Sequence, residues 1–143
     1  MSDDWRDKLA KKYPSLYRGY KGDPTKTTMA WGFSVGDGWR GILEELSAKI
    51  TALDPKRAVI ARQVKEKFGG LRFYYSVNMD DADQAEALYR KVHKLVEEAE
   101  AKSYETCEKC GKPGSTEHPK KDQFSWIEVL CDDCAEKGAN NES

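Results

Sequence analysis

Four cysteines constrain this chain more than any other feature. They form two pairs, Cys107-Glu108-Lys109-Cys110 and Cys131-Asp132-Asp133-Cys134, with 20 residues between them. Each CxxC is a tight turn that aims two sulfurs at one point. Two such turns build the tetrahedral four-thiolate shell that Zn²⁺ accepts. Gly111, directly after the first pair, lets the backbone turn back as a zinc knuckle requires. Four thiolates leave no coordination position for water, so the spacing predicts one structural zinc ion and no catalytic one. His118 is a minor alternative ligand. A zinc deaminase needs H-x-E followed by P-C-x-x-C, and neither pattern is present.

Compartment bears on the same cysteines. Met1 to Arg6 is polar and acidic, with no apolar stretch after it, and no apolar run reaches membrane-spanning length. The expectation is a soluble cytoplasmic protein whose thiols stay reduced and available for metal.

Charge is unevenly spread. Residues 1–78 hold 15 Lys and Arg against 9 Asp and Glu, and residues 79–143 hold 9 against 16. The metal half is therefore the acidic half. Phosphate contacts need positive charge where they are made, so an anion-facing surface belongs to the first half.

Residues 4–13 read as a short helix capped by Asp3 or Asp4, with Trp5, Leu9 and Tyr13 on one face and Pro14 ending it. Ser15 to Thr28 is a loop. Its tyrosines and basic residues can stack on nucleic acid, but their favoured role is to pin the loop to the core. Met29 to Val35 alternates as a strand. Asp37, between Gly36 and Gly38, is the expected N-cap of a helix from Trp39 to about Leu53 whose apolar face carries Trp39, Ile42, Leu43, Leu46 and Ile50. The Gly36-Asp37-Gly38 turn lacks the lysine and hydroxyl of a phosphate loop and reads as structural.

Arg57 to Phe68 and Leu71 to Asn78 read as two strands joined at Gly69-Gly70. Leu71, Phe73, Tyr75 and Val77 share a face of the second strand, and Ile60, Val64 and Phe68 line the first less regularly. Arg57, Arg62, Lys65, Lys67 and Arg72 cluster on or near this hairpin and form the candidate binding surface. The competing reading is a solvated face whose charges discourage edge pairing. Met79 to about Ser103 is the longest helix, with Asp80, Asp81 and Asp83 favouring its positive end and a stripe of Ala85, Leu88, Tyr89, Val92, Leu95, Val96 and Ala99. His93 belongs on its flank. A polar excursion, a strand from Phe124 to Leu130 and a short helix from Cys131 complete the finger.

Hydrophobic content of 38% against 34% charged residues allows one modest core, with the aromatics supplying much of its volume. The expected fold is α+β: a small antiparallel sheet containing the 57–78 hairpin, covered by the 38–53 and 80–103 helices. Residues 1–105 form this domain, 106–137 a treble-clef or zinc-ribbon-like finger packed on it, and 138–143 a disordered tail.

Gly36-Asp37-Gly38-Trp39, the block Val64-Lys65-Glu66-Lys67-Phe68-Gly69-Gly70-Leu71-Arg72-Phe73-Tyr74, and the two cysteine pairs together resemble a family of small bacteriophage and prophage proteins. The resemblance covers roughly residues 30–135. It implies an accessory protein acting in an infected bacterium and brings no catalytic residue with it. The leading expectation is a non-enzymatic zinc protein that binds a bacterial host protein and inhibits a host defence system. The alternative is a nucleic-acid-binding accessory protein using the basic hairpin. A hydrolase built on the Asp80 cluster is a distant third.

Overall fold

The structure, a computed structural model, describes residues 5–22, 29, 32–119 and 127–135, with the side chains of His118 and Pro119 excepted. The expected caps Asp3 and Asp4, Trp31, the stretch Phe124 to Trp126, and the tail lie outside the described residues. So does His118 as a ligand.

Helix α1 (Trp5–Lys12) buries Trp5, Leu9 and Ala10. The chain then turns through residues 13–22, held by its tyrosines as expected. Tyr17 is buried and its hydroxyl shares a 2.6 Å hydrogen bond with Ser47 Oγ, while Tyr20 donates to the Asp7 carboxylate.

Within the expected Met29–Val35 strand, the described residues form β1 at Phe33–Ser34, and Ala30 and Trp31 lie outside the described residues. Gly32 takes a left-handed φ of 81° and its N–H bonds back to Met29 O, so Gly32 itself does not join the strand. A short 3₁₀ turn (Asp37–Trp39) leads into α2 (Arg40–Leu53), which buries Ile42, Leu43, Leu46, Ser47 and Ile50. β2 (Val59–Lys67) and β3 (Gly70–Val77) form the hairpin, and α3 (Ala82–Ser103) follows. The sheet order is β1-β2-β3. β2 and β3 are antiparallel, but β1 runs parallel to β2, pairing Phe33 with Val64. α2 is the crossover that this parallel pairing requires. The fold is thus α+β with a mostly antiparallel sheet. α2 and α3 pack on each other, and the core unites their apolar faces with α1 and the sheet.

Two details of the hairpin depart from expectation. Arg62 is the extra residue of a bulge between the pairs Ala61–Tyr75 and Gln63–Tyr74. The extra residue shifts the alternation, so the core-facing set is Val59, Ala61 and Val64, opposite Val77, Tyr75 and Phe73. The expected Ile60–Val64–Phe68 line does not form. The turn is also displaced by one residue. Lys67 pairs with Gly70, which leaves Phe68 and Gly69 as the two turn residues, at φ of 54° and 84°. Both are positive, as a type I′ turn demands. Gly70 is kept for the strand because the Tyr104 ring occupies the space its Cβ would need. A phenylalanine in left-handed backbone costs about 1–2 kcal/mol, which the surrounding pairing must offset.

Asp54 anchors the start of β2. It is 4% exposed, and its two carboxylate oxygens accept from the N–H groups of Ala58 and Val59, each at 2.8 Å. At α3, Asp81 is the residue of the acidic trio that caps, accepting from Gln84 N at 3.0 Å. Val92, Val96, Ala99 and Ser103 are buried, whereas Tyr89, expected within the apolar stripe, is largely exposed.

Candidate metal centre and hairpin surface

The first knuckle is built by Cys107–Gly111. Gly111 N–H closes on Cys107 O at 2.8 Å with Gly111 at φ 85°, and Cys107 N–H donates to Lys112 O. The second follows a two-stranded ribbon, β4 (Thr116–Pro119) against β5 (Ile127–Leu130). β4 was not anticipated, because Lys112 to Gln123 reads as polar loop. Cys131 leaves β5 and opens a helical turn at 132–135, closed by Ala135 N–H on Cys131 O. Glu108 N–H bonds to Val129 O at 2.8 Å and ties the two halves together.

The four Sγ atoms of Cys107, Cys110, Cys131 and Cys134 lie within 4.8 Å of one another, and Cys110 and Cys131 are 3.6 Å apart. A tetrahedron with metal–sulfur bonds of about 2.3 Å has edges of about 3.8 Å, so the group can hold one metal ion. Cys107 and Cys131 are buried, Cys134 is partly buried and Cys110 is exposed. Burial favours the neutral thiol at Cys107. Backbone N–H groups of Cys131, Cys110 and Lys109 directed at its sulfur outweigh that and bring its pKa down to about 7. Cys134 is pushed up to about 12, by burial first and then by the neighbouring sulfurs. A bound cation would supply the charge that lets all four ionise together. Among the described residues no other cluster of three or more His, Cys, Asp or Glu is placed to hold a metal, so the Asp80 trio does not gather into a site.

The finger is seated on Gly36-Asp37-Gly38. Gly38 N–H donates to Glu108 O at 2.7 Å and Gly36 N–H to Glu108 Oε2 at 2.9 Å. A Cβ at Gly36 would overlap Glu108 O, and one at Gly38 would overlap Cys107 O. Both glycines therefore allow backbone to approach backbone. Fully buried Trp39 completes the seat, its indole N–H donating to Thr106 O at 3.0 Å. The turn is structural, as expected, but Asp37 is not the expected cap. The Gly36 position precedes the 3₁₀ turn, and Asp37 accepts from Trp5 Nε1 at 2.9 Å and pairs with Arg6 at 3.1 Å. It binds α1 to the seat instead.

The five candidate basic residues do not form one patch. Arg57 lies before β2, roughly 30 Å along the strand from Lys67. Arg72 pairs with Glu100 on α3 at 2.8 Å. Arg62, Lys65 and Lys67 remain on the hairpin. Lys65 Nζ sits 5.8 Å from the ring centre of Tyr74, and Lys67 Nζ sits 5.6 Å from that of Phe68. Tyr74 and Phe68 are 46% and 48% exposed. Phe68 was expected on the Ile60–Val64–Phe68 line of the first strand, and neither aromatic was assigned to the candidate surface. The alternation of β3 did place Tyr74 opposite Phe73, which was the available signal. His93 lies exposed on α3, stacked on Tyr89.

Fold and site together define a mixed helix-and-sheet domain closed by a C-terminal four-cysteine cluster consistent with a zinc finger. No protein-family model, curated protein or solved structure matches the chain. No helix among the described residues is long and apolar enough to cross a membrane.

Proposed function

We propose that this chain is a non-catalytic binding protein whose fold is completed by one structural zinc ion, and that it acts by docking on a protein of a bacterial host. The observation that carries this reading is the seat. A four-sulfur cluster is keyed through Glu108 and Thr106 into the Gly36–Trp39 turn, so the metal would fix the domain rather than face a substrate. Four thiolate donors favour zinc over harder divalent ions. The bacteriophage resemblance supplies the setting, and inhibition of a host defence system is the role we propose for such docking.

Native mass spectrometry and elemental analysis test the metal, with one zinc per chain expected. Affinity capture from bacterial lysate, with zinc content verified on the bait, tests the partner. Capture of no specific protein by folded, zinc-loaded bait from several hosts overturns the docking reading. A second reading, nucleic-acid binding, is favoured by the two lysines held against exposed aromatic rings on the hairpin.

A further inference from the structure

We infer that the face of the hairpin carrying Lys65, Lys67 and Tyr74 is a stacking site for one or two bases of a single-stranded nucleic acid. The inference rests on the nucleic-acid reading of this surface and deepens it. The register pairs Gln63 with Tyr74, Lys65 with Arg72 and Lys67 with Gly70. These residues therefore share the face opposite the core-packed Leu71, Phe73 and Val64. Tyr74 presents nearly half its surface to solvent in the middle of a strand, where a polar residue would serve a purely solvated face as well.

Charge complementarity selects the occupant. Lys65 stands over the Tyr74 ring, and Lys67 and the Arg62 bulge extend the positive charge along the same strand. Arg62 Nε is hydrogen-bonded to Ser76 Oγ at 2.8 Å, which orients the guanidinium along this face. Arg72 is neutralised by Glu100 and Arg57 is remote, so neither is assigned to the site. A π face beside two or three cations matches a base with its flanking phosphates. A duplex hides its base faces and offers Tyr74 nothing to stack on. Three cations are also few for a duplex groove. The Lys65 ammonium would leave the ring for a phosphate as a base takes its place.

The test is fluorescence anisotropy with labelled 12-mers of oligo(dT), oligo(U) and a 12-bp duplex, using the zinc-loaded full chain. Single strands are expected to bind with Kd of about 10–100 μM at low salt. The log–log salt slope should be about −2, from three phosphate contacts. Tyr74→Leu should weaken binding about tenfold and Tyr74→Phe should restore it, because stacking needs a ring and not a hydroxyl. Lys65→Glu with Lys67→Glu should abolish binding, while Lys91→Glu with Lys94→Glu on α3, an equal charge change, should leave it within a fewfold. Zinc content and melting temperature of each variant establish that it is folded. No binding of any oligonucleotide at low salt overturns both this inference and the nucleic-acid reading. Equal binding of the duplex, or indifference to Tyr74→Leu, overturns the stacking site alone. Protection of this face by a captured host protein, with no oligonucleotide binding, assigns it to protein docking and overturns the inference.

Discussion

The α-carbon of Gly38 lies against the carbonyl oxygen of Cys107, so close that a Cβ at residue 38 would overlap it. The turn that opens α2 and the knuckle that opens the finger are in backbone-to-backbone contact across nearly 70 residues of chain. Gly38→Ala must push the knuckle off its seat and break the Gly38 N–H to Glu108 O bond. The expected cost is about 2–4 kcal/mol. Gly41, three residues on within α2, has open space where a Cβ would go. Gly41→Ala should raise stability by about 0.5–1 kcal/mol through helix propensity. Thermal melts of both variants, with the rate of zinc loss to a chelator, check the pair. Equal behaviour would remove the seat from the argument.

Gly70 and Tyr104 form a second keyed contact. Gly70→Ala should destabilise, because the methyl group meets the Tyr104 ring. Tyr104→Ala makes room for that methyl. The double variant should therefore be more stable than the sum of the single losses predicts, with a coupling of about 1–2 kcal/mol. Urea denaturation of the four proteins in the cycle measures it, and strict additivity would refute the contact.

Asp54 holds two buried N–H donors at the entry to β2. Asp54→Ala strands both and should cost about 2–4 kcal/mol. Asp54→Asn keeps one carbonyl oxygen and should cost roughly half. Equilibrium unfolding distinguishes these from a substitution at a merely exposed turn.

Acid should act in two steps of the same sign. A metal ion on the four cysteines would be held by thiolates, so protons would compete with it and occupancy should fall as pH falls. The Asp37 carboxyl is held below its ordinary value of 3.8, first by the Trp5 indole N–H and then by Arg6. Its stabilising contribution is present above that value and is lost as pH falls through the lower, folded-state pKa. Zinc release read with a chromogenic indicator should therefore precede the change in Trp5 fluorescence that reports detachment of α1. Asp37→Asn should remove the second transition and leave the first.

Chelation should reach beyond the finger. The hairpin turn touches the ribbon, with Gly69 lying under Ile127 and Val129. Metal removal is expected to raise amide exchange at residues 67–71 as well as 107–111. Exchange confined to the knuckles would show that the hairpin stands independently of the metal.

By itself the sequence determined what depends on short spacing. The cysteine pairs, the apolar face of α2, the Val92–Val96–Ala99 part of the α3 face and the alternation of β3 each follow from local spacing, and each appears where that spacing puts it. Asp81 capping α3 belongs to the same class. Tertiary structure alone decided what depends on residues far apart. The Arg62 bulge shifts a face, and no local signal marks it. The turn moves to Phe68-Gly69 because Tyr104, more than 30 residues later, needs the space at Gly70. Asp37 is drawn from capping to α1, since Trp5 and Arg6 offer donors at hydrogen-bond distance. Five basic residues near one hairpin separate into a usable pair of lysines, the bulged Arg62, a neutralised Arg72 and a distant Arg57. Local periods state which side chains share an element. Only packing states which of them have already found a partner.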